Sequence, residues 1–151
     1  MKKFILLLAA LFTLAMSTTA FAAPADNGAV LNKEEAAATK LVNALLQNGN
    51  LASVQNLFHP EFKKNINDNN FKELQKDITT KLGTMKTSRL ALWERRDNGD
   101  GIFYIMSFSK ENIVRCAVIF DDKDQIVNFA LTPIHPEEKK ADDKASKKPT
   151  K

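Results

Sequence analysis

The chain has 151 residues, of which 44% are hydrophobic and 26% are charged, and its formal net charge at pH 7 is +4. The positive excess lies near the two ends, because residues 23–136 carry 14 basic and 14 acidic side chains. A neutral central region with a single cysteine excludes a strongly basic nucleic-acid-binding domain and a domain held together by internal disulfides.

Residues 1–22 have the pattern of an export signal. Two lysines precede an apolar run over residues 4–16, and small side chains stand at Ala20 and Ala22. The run is too short to span a bilayer, and a signal peptidase requires small side chains at these two positions. We therefore predict cleavage after Ala22, a periplasmic or secreted product, and no transmembrane segment after cleavage.

The remaining chain divides into three parts by composition. Residues 23–31 are predicted to form a flexible lead, and residues 32–134 a single domain of about one hundred residues. Residues 135–151 are predicted to form a disordered Lys-rich tail, because nothing there can be buried. From residue 137 onwards the tail has six lysines, four acids and no aromatic residue. Interleaved acids and the lack of aromatic side chains argue against a nucleic-acid partner.

The first predicted helix covers residues 32–48. Asn32 and Glu35 have the spacing of a capping box, and apolar residues follow at helical intervals. Gly49 then supplies a residue that easily adopts the left-handed conformation that ends many helices.

Two further helices are predicted before the spacing of the apolar residues changes from the helical period to the alternation of strands. A shorter one covers residues 51–58 and ends before Pro60, which cannot continue it. The third begins near Asn70, with Glu73 completing a second capping pattern, and ends at Gly83.

Four segments with strand character follow, separated by turn-forming residues. Tight connections between consecutive strands predict an antiparallel meander with the helices packed on one face, which is an α+β domain. The predicted strands are residues 85–96, 102–110, 113–120 and 126–132.

Alternation within the strands assigns one face of the sheet to the helices. The face that carries Tyr104 and Cys116 is predicted to point inward, together with Val127, Phe129 and Leu131 of the last strand. The outer face then keeps more apolar surface than a solvated sheet normally exposes, which predicts a homodimer formed through the sheet. The outward apolar residues are Phe103, Ile105, Ile113 and Ile119.

Two features of the chain resemble known families: the order of the predicted elements and five short segments. The segments are Leu57-Phe58, Leu82-Gly83, 102–108, 118–122 and 125–129. The order resembles the nuclear transport factor 2-like superfamily. The segments resemble a family of unknown function often found ahead of α/β-hydrolase domains. The resemblance spans about residues 32–134 and implies a cone in which three N-terminal helices pack on a curved four-stranded antiparallel sheet. It also implies a cavity between helices and sheet.

Four residues are candidates to contact a ligand in such a cavity: Trp93, Tyr104, Met106 and His59. Trp93 could stack on a ligand or anchor the core or a dimer, and Tyr104 could offer its hydroxyl or only pack its ring. His59 could act as a general base or stand at a helix terminus beside Pro60.

No linear motif for nucleophilic catalysis, phosphate binding or metal ligation occurs after residue 22, so we predict no catalytic residue, cofactor or metal. Cys116 lies in an apolar run, which favours a buried, inert thiol. The acidic clusters at 97–100 and 121–124 have the composition of turns and lack the ligand order of a calcium loop.

We expect an exported, non-catalytic domain that binds a small apolar ligand or a protein partner, as a homodimer. The alternative is a small cavity enzyme of the isomerase or lyase type that uses acid–base residues inside the cone, because such sites have no linear signature.

Overall fold

The computed structural model describes residues 26–135, so the export signal and the tail beyond His135 lie outside the described residues. Three α-helices precede a four-stranded antiparallel sheet in the order β1-β2-β3-β4, which confirms the predicted α+β architecture. Within this range no helix is both long and apolar enough to cross a membrane. The helices are α1 (Asn27–Leu46), α2 (Pro60–Lys64) and α3 (Asp68–Lys81), and the strands are β1 (Met85–Arg96), β2 (Gly99–Phe108), β3 (Val114–Phe120) and β4 (Ile126–Pro133).

Helix α1 begins earlier than the predicted start at Asn32. The Asp26 side chain accepts a hydrogen bond from the Gly28 N–H at 3.0 Å and so caps the helix. Leu31 also packs against the core, which favours helical backbone at that point. Residues 27–31, which the sequence assigned to a flexible lead, are therefore helical.

The connection after α1 differs from the prediction in two respects. The left-handed residue is Asn48, with φ of 54°, rather than Gly49. Gly49 is required for a different reason, since a Cβ there would lie 2.8 Å from Ala44 Cα. Two short 3-10 helices, Leu51–Ser53 and Gln55–Leu57, take the place of the single predicted helix over 51–58.

Helix α2 was not predicted. Pro60 begins it instead of ending the preceding helix, because a proline at the first helical position loses no hydrogen bond. The His59 side chain caps it by accepting a hydrogen bond from the Glu61 N–H at 3.2 Å.

Helix α3 begins slightly before the predicted position. Asn67 accepts hydrogen bonds from two amides of the first turn, and the Asn70 side chain accepts from the Asn67 N–H. The capping box is therefore formed by this pair and not by Asn70 with Glu73. Gly83, with φ of 82°, follows the helix as predicted.

Strand β2 begins at Gly99, three positions before the prediction, because only Asp97 and Asn98 form the turn after β1. Gly99 has φ of 123°, and a Cβ there would lie 2.0 Å from the Phe120 carbonyl oxygen. Only glycine allows this close approach of the hairpin to β3.

The core lies between α1 and the inner face of β2 and β3. Ala38 and Leu41 of α1 are fully buried against this face. The inward face predicted for the central strands is confirmed, although on β4 the fully buried residue is Ile126 rather than Val127. The buried residues of the two central strands are Ile102, Tyr104, Met106, Phe108, Val114, Cys116, Val118 and Phe120.

The two edges of the sheet are irregular. Strand β1 has register shifts between Met85 and Thr87 and between Leu90 and Leu92. At the other edge, Ile126 at the start of β4 forms a bridge to Phe58, and the strand ends at Pro133.

Gln75 connects α3 to the end of α1, and its removal should destabilise the domain. Its Nε2 donates hydrogen bonds to the Ala44 and Gly49 carbonyl oxygens at 2.8 and 2.7 Å. Gln75→Ala should lower the free energy of unfolding in urea by about 1–3 kcal/mol, because buried carbonyls lose their partner. Lys72→Ala, on the exposed side of α3, serves as the control. Equal stability of the two variants would contradict this role.

Candidate functional site

A groove of about 650 Å³ lies between α3 and β4. Its volume is within the range of small-molecule sites, and its lining is mainly apolar with polar groups at exposed or half-exposed positions. The main apolar residues are Phe62, Ile66, Leu74, Ile78, Phe129 and Leu131. The polar residues include Asn65, Asn70, Glu73, Asp77, Lys81 and Glu111.

The groove exists because the helices do not cover β4 as they cover β2 and β3. Phe129 and Leu131 share the inner face with Val118 and Cys116, with which they pair across β3 and β4. Val118 and Cys116 are 0% and 1% exposed, whereas Phe129 and Leu131 remain half-buried. The same alternation that builds the core therefore directs β4 side chains into the groove.

Aromatic contacts fix one end of the groove. The ring of Phe62, from α2, meets the ring of Phe129 edge-on with 5.9 Å between the centroids. On its other side Phe62 meets the buried Phe58 in the same manner at 5.1 Å. These contacts hold α2 against β4, as is usual for edge-to-face aromatic pairs.

The charged side chains of the groove have both signs. Asp77 and Lys81, one turn apart on α3, form an ion pair of 2.8 Å. Glu73 and Glu111 add carboxylates to the lining. An apolar surface with polar groups beside it can hold a molecule that has an apolar body and a polar end.

None of the four sequence-predicted site residues lines this groove. Tyr104 and Met106 lie two positions apart on the inner face of β2 and are 7% and 1% exposed. The Tyr104 hydroxyl lies 3.5 Å from Thr39 Oγ1, and burial raises the pKa of Tyr104. Their contact with a ligand stays a prediction.

Trp93 and His59 belong to other elements, since Trp93 stands on β1 opposite Ile102 and His59 precedes α2. Trp93 is half-buried on β1, and the Arg95 guanidinium stands 5.8 Å from its ring centroid. His59 caps α2 through Nδ1, and its Nε2 lies 4.0 Å from Asp121 Oδ2. The helix-terminus interpretation of His59 is therefore confirmed, whereas ligand contact at either residue stays a prediction.

A buried carboxyl cluster near Trp93 was not predicted. Glu34, on α1, is 0% exposed, and its Oε2 accepts a hydrogen bond from Trp93 Nε1 at 2.7 Å. Its Oε1 is buried and receives no hydrogen bond from any described residue. The nearby Asp100 carboxylate is also buried, at 6% exposure. Asp100 itself pairs with Arg95 at 3.2 Å.

Burial raises the pKa of Glu34 to about 7, against the opposing effect of the Trp93 hydrogen bond. The negative charges of Asp100 and Asp124 raise this pKa further. The folded protein therefore holds a proton on Glu34 over a pH range in which the unfolded chain has released it.

Stability should depend on pH through Glu34. Because the folded pKa of about 7 exceeds the usual 4.5, the stabilisation is fully present below pH 4.5 and is lost as pH rises through 7. The loss amounts to about 3 kcal/mol. The emission of Trp93, the only tryptophan, should also titrate near pH 7. Glu34→Gln should remove both effects, and Glu35→Gln should retain them. An unchanged emission midpoint in Glu34→Gln would refute the assignment.

Cys116 is 1% exposed, and burial raises the pKa of its thiol to about 12, in accord with the predicted inert cysteine. Within residues 26–135 no group of three or more His, Cys, Asp or Glu side chains is arranged to hold a metal ion. The predictions of no metal and no cofactor stay predictions.

Sequence reasoning missed the groove because it missed α2. Residues 59–66 are largely polar, and the four-residue spacing of Phe62 and Ile66 was not read as a helical face. A signal was nevertheless present, since Pro60 and Glu61 at the start of a segment with Lys63 and Lys64 at its end have the arrangement of a short helix.

The fold and the groove define the class: a small α+β domain with a mainly apolar site between a helix and an edge strand. The family model described as a protein of unknown function (DUF3887) matches residues 38–129, and the chain belongs to that family. No curated protein and no solved structure matches the chain. Membership of a family of unknown function is thus confirmed, whereas the nuclear transport factor 2-like superfamily and its cone shape stay predictions.

Proposed function

We propose that this protein is an exported, non-catalytic domain that binds a small apolar molecule with a polar end in the groove between α3 and β4. The observation that carries this proposal is the groove itself, with its volume of about 650 Å³ and mainly apolar lining. Half-buried Leu74 and Leu131 offer apolar contact to a ligand, and Glu73 and Glu111 offer polar contact.

The alternative of a cavity enzyme has one observation in its favour, the raised pKa of Glu34. A general acid must, however, come within hydrogen-bonding reach of the substrate. Glu34 is 0% exposed, and it does not line the groove. Binding without catalysis is therefore the better-supported function.

Polar substitutions in the groove should weaken ligand binding. Leu74→Gln and Leu131→Gln should each raise the dissociation constant for a fluorescent long-chain amine by about tenfold, because burial of a leucine side chain is lost. The measurement is a fluorescence titration. Leu92→Gln is the matched control, because Leu92 is 52% exposed and lies outside the groove. Equal weakening by all three variants, each checked for intact folding, would exclude the groove as the binding site.

Export, ligand retention and the predicted homodimer can be measured together. Native mass spectrometry of the protein recovered from the envelope of its host should give a chain that begins at Ala23, with an additional small mass that is lost on denaturation. A chain that begins at Met1 would refute the export signal, and a ligand-free chain would count against the groove. The homodimer through the sheet predicts twice the chain mass, and a monomer would refute it.

A further inference from the structure

The outer face of the sheet combines apolar side chains with arginines. Leu92 and Ile113 are 52% and 39% exposed, and Ile134, which follows β4, is 41% exposed. Phe103 and Ile105 lie between them on β2 and are half-buried. Strand register places Leu92, Phe103 and Ile105 on the side opposite the core. Ile113 and Ile134 adjoin the inward pair Val114 and Pro133 and are joined by a backbone hydrogen bond of 2.8 Å.

Two arginines flank this apolar surface. Arg89 and Arg115 stand on either side of Ile105 in one row across β1, β2 and β3. Two strand spacings separate them, which is about 10 Å. Both are exposed, and neither forms an ion pair with any residue between 26 and 135.

Charge is distributed unevenly along the strands. We call the end of the sheet at which β4 finishes the Ile113 end. The exposed basic residues there are Lys86, Arg89, Lys110 and Arg115, and the nearby β2–β3 connection contains one acid, Glu111. The opposite end carries Asp97, Asp121, Asp122 and Asp124 in its turns, with Lys123, and the exposed Arg95 and Arg96 at the end of β1, so acids still outnumber bases there. Strand β4 also ends at the Ile113 end, since Pro133 pairs with Val114.

We propose that the outer face docks on an anionic lipid bilayer, with the Ile113 end towards the membrane. Leu92, Ile113 and Ile134 enter the interfacial region, while Arg89 and Arg115 bind lipid phosphates through their planar, five-donor guanidinium groups. The acidic turns face away from the negative surface. This proposal uses the face opposite the groove and does not depend on the proposed ligand.

A second copy of the chain fits the same face less well. Face-to-face pairing leaves both arginines of each copy to be buried or to find acids across the interface. Glu94, on the same face, is already paired with Arg96. A buried cation without a partner is costly, whereas lipid phosphates supply the missing charge.

The test is co-sedimentation of the purified mature protein with vesicles of phosphatidylglycerol or of phosphatidylcholine. We expect binding to phosphatidylglycerol only, weakened by added salt. Arg89→Glu with Arg115→Glu should lower the partition coefficient by about tenfold or more, because four units of charge change at the surface. Ile113→Ser with Ile134→Ser should lower it without a change of charge.

The matched control is Lys40→Glu with Lys72→Glu, which makes the same charge change at exposed positions of α1 and α3. It should lower the partition coefficient by less than about threefold, since these residues lie on the helical side. Equal loss in the two double-charge variants would assign binding to the tail and net charge and overturn the proposal, as would equal binding to both lipids.

Sedimentation velocity on the same samples tests whether a second copy of the chain covers the outer face. A dimer that Leu92→Arg converts to a monomer would show that a second copy covers the face, and the proposal would be wrong.

Discussion

The burial of one face of β2 and β3 beneath α1 is the constraint on which the rest of the structure depends. Ile102, Val118 and Phe120 are all fully buried. Because side chains alternate between the two faces of a strand, their burial fixes the direction of the remaining side chains of β2 and β3. A slip of one residue in β3 would turn its apolar side chains outward and bury Arg115. The groove and the outer apolar face are both consequences of this single register.

Coverage of the sheet by the helices decides which parts of the inner face become core and which become a site. Leu41 of α1 is fully buried, whereas α3 is held to the end of α1 by Gln75 and leaves β4 half-covered. Phe129, which meets Phe62 of α2, and Leu131 therefore continue the core pattern but stay half-buried. The groove is thus an incompletely covered part of an otherwise ordinary α+β core.

The sequence was informative where a pattern repeats and uninformative where one contact decides. The inward face of β3 followed from alternation over the whole strand, and the strand order followed from the short connections between the strands. Local predictions failed where a single residue determines the outcome. The Asp26 carboxylate caps α1 before the predicted start, and Pro60 begins α2 instead of ending a helix. The Glu34 cluster was not predictable from spacing, because it joins α1, β1 and β2 across 59 positions of sequence between Glu34 and Trp93. The groove likewise joins α2, α3 and β4, which are distant in sequence, and none of the four residues proposed from the sequence lines it.

The irregular edges of the sheet have a consequence for the behaviour of the protein at high concentration. Strand addition from a neighbouring molecule needs a continuous row of free backbone N–H and C=O groups. The two register shifts in β1 interrupt that row, and the bridge at Ile126 and the missing N–H of Pro133 shorten it in β4. Neither edge then offers a long template to a neighbouring molecule, so crowding should not extend the sheet from one molecule to the next into fibrils.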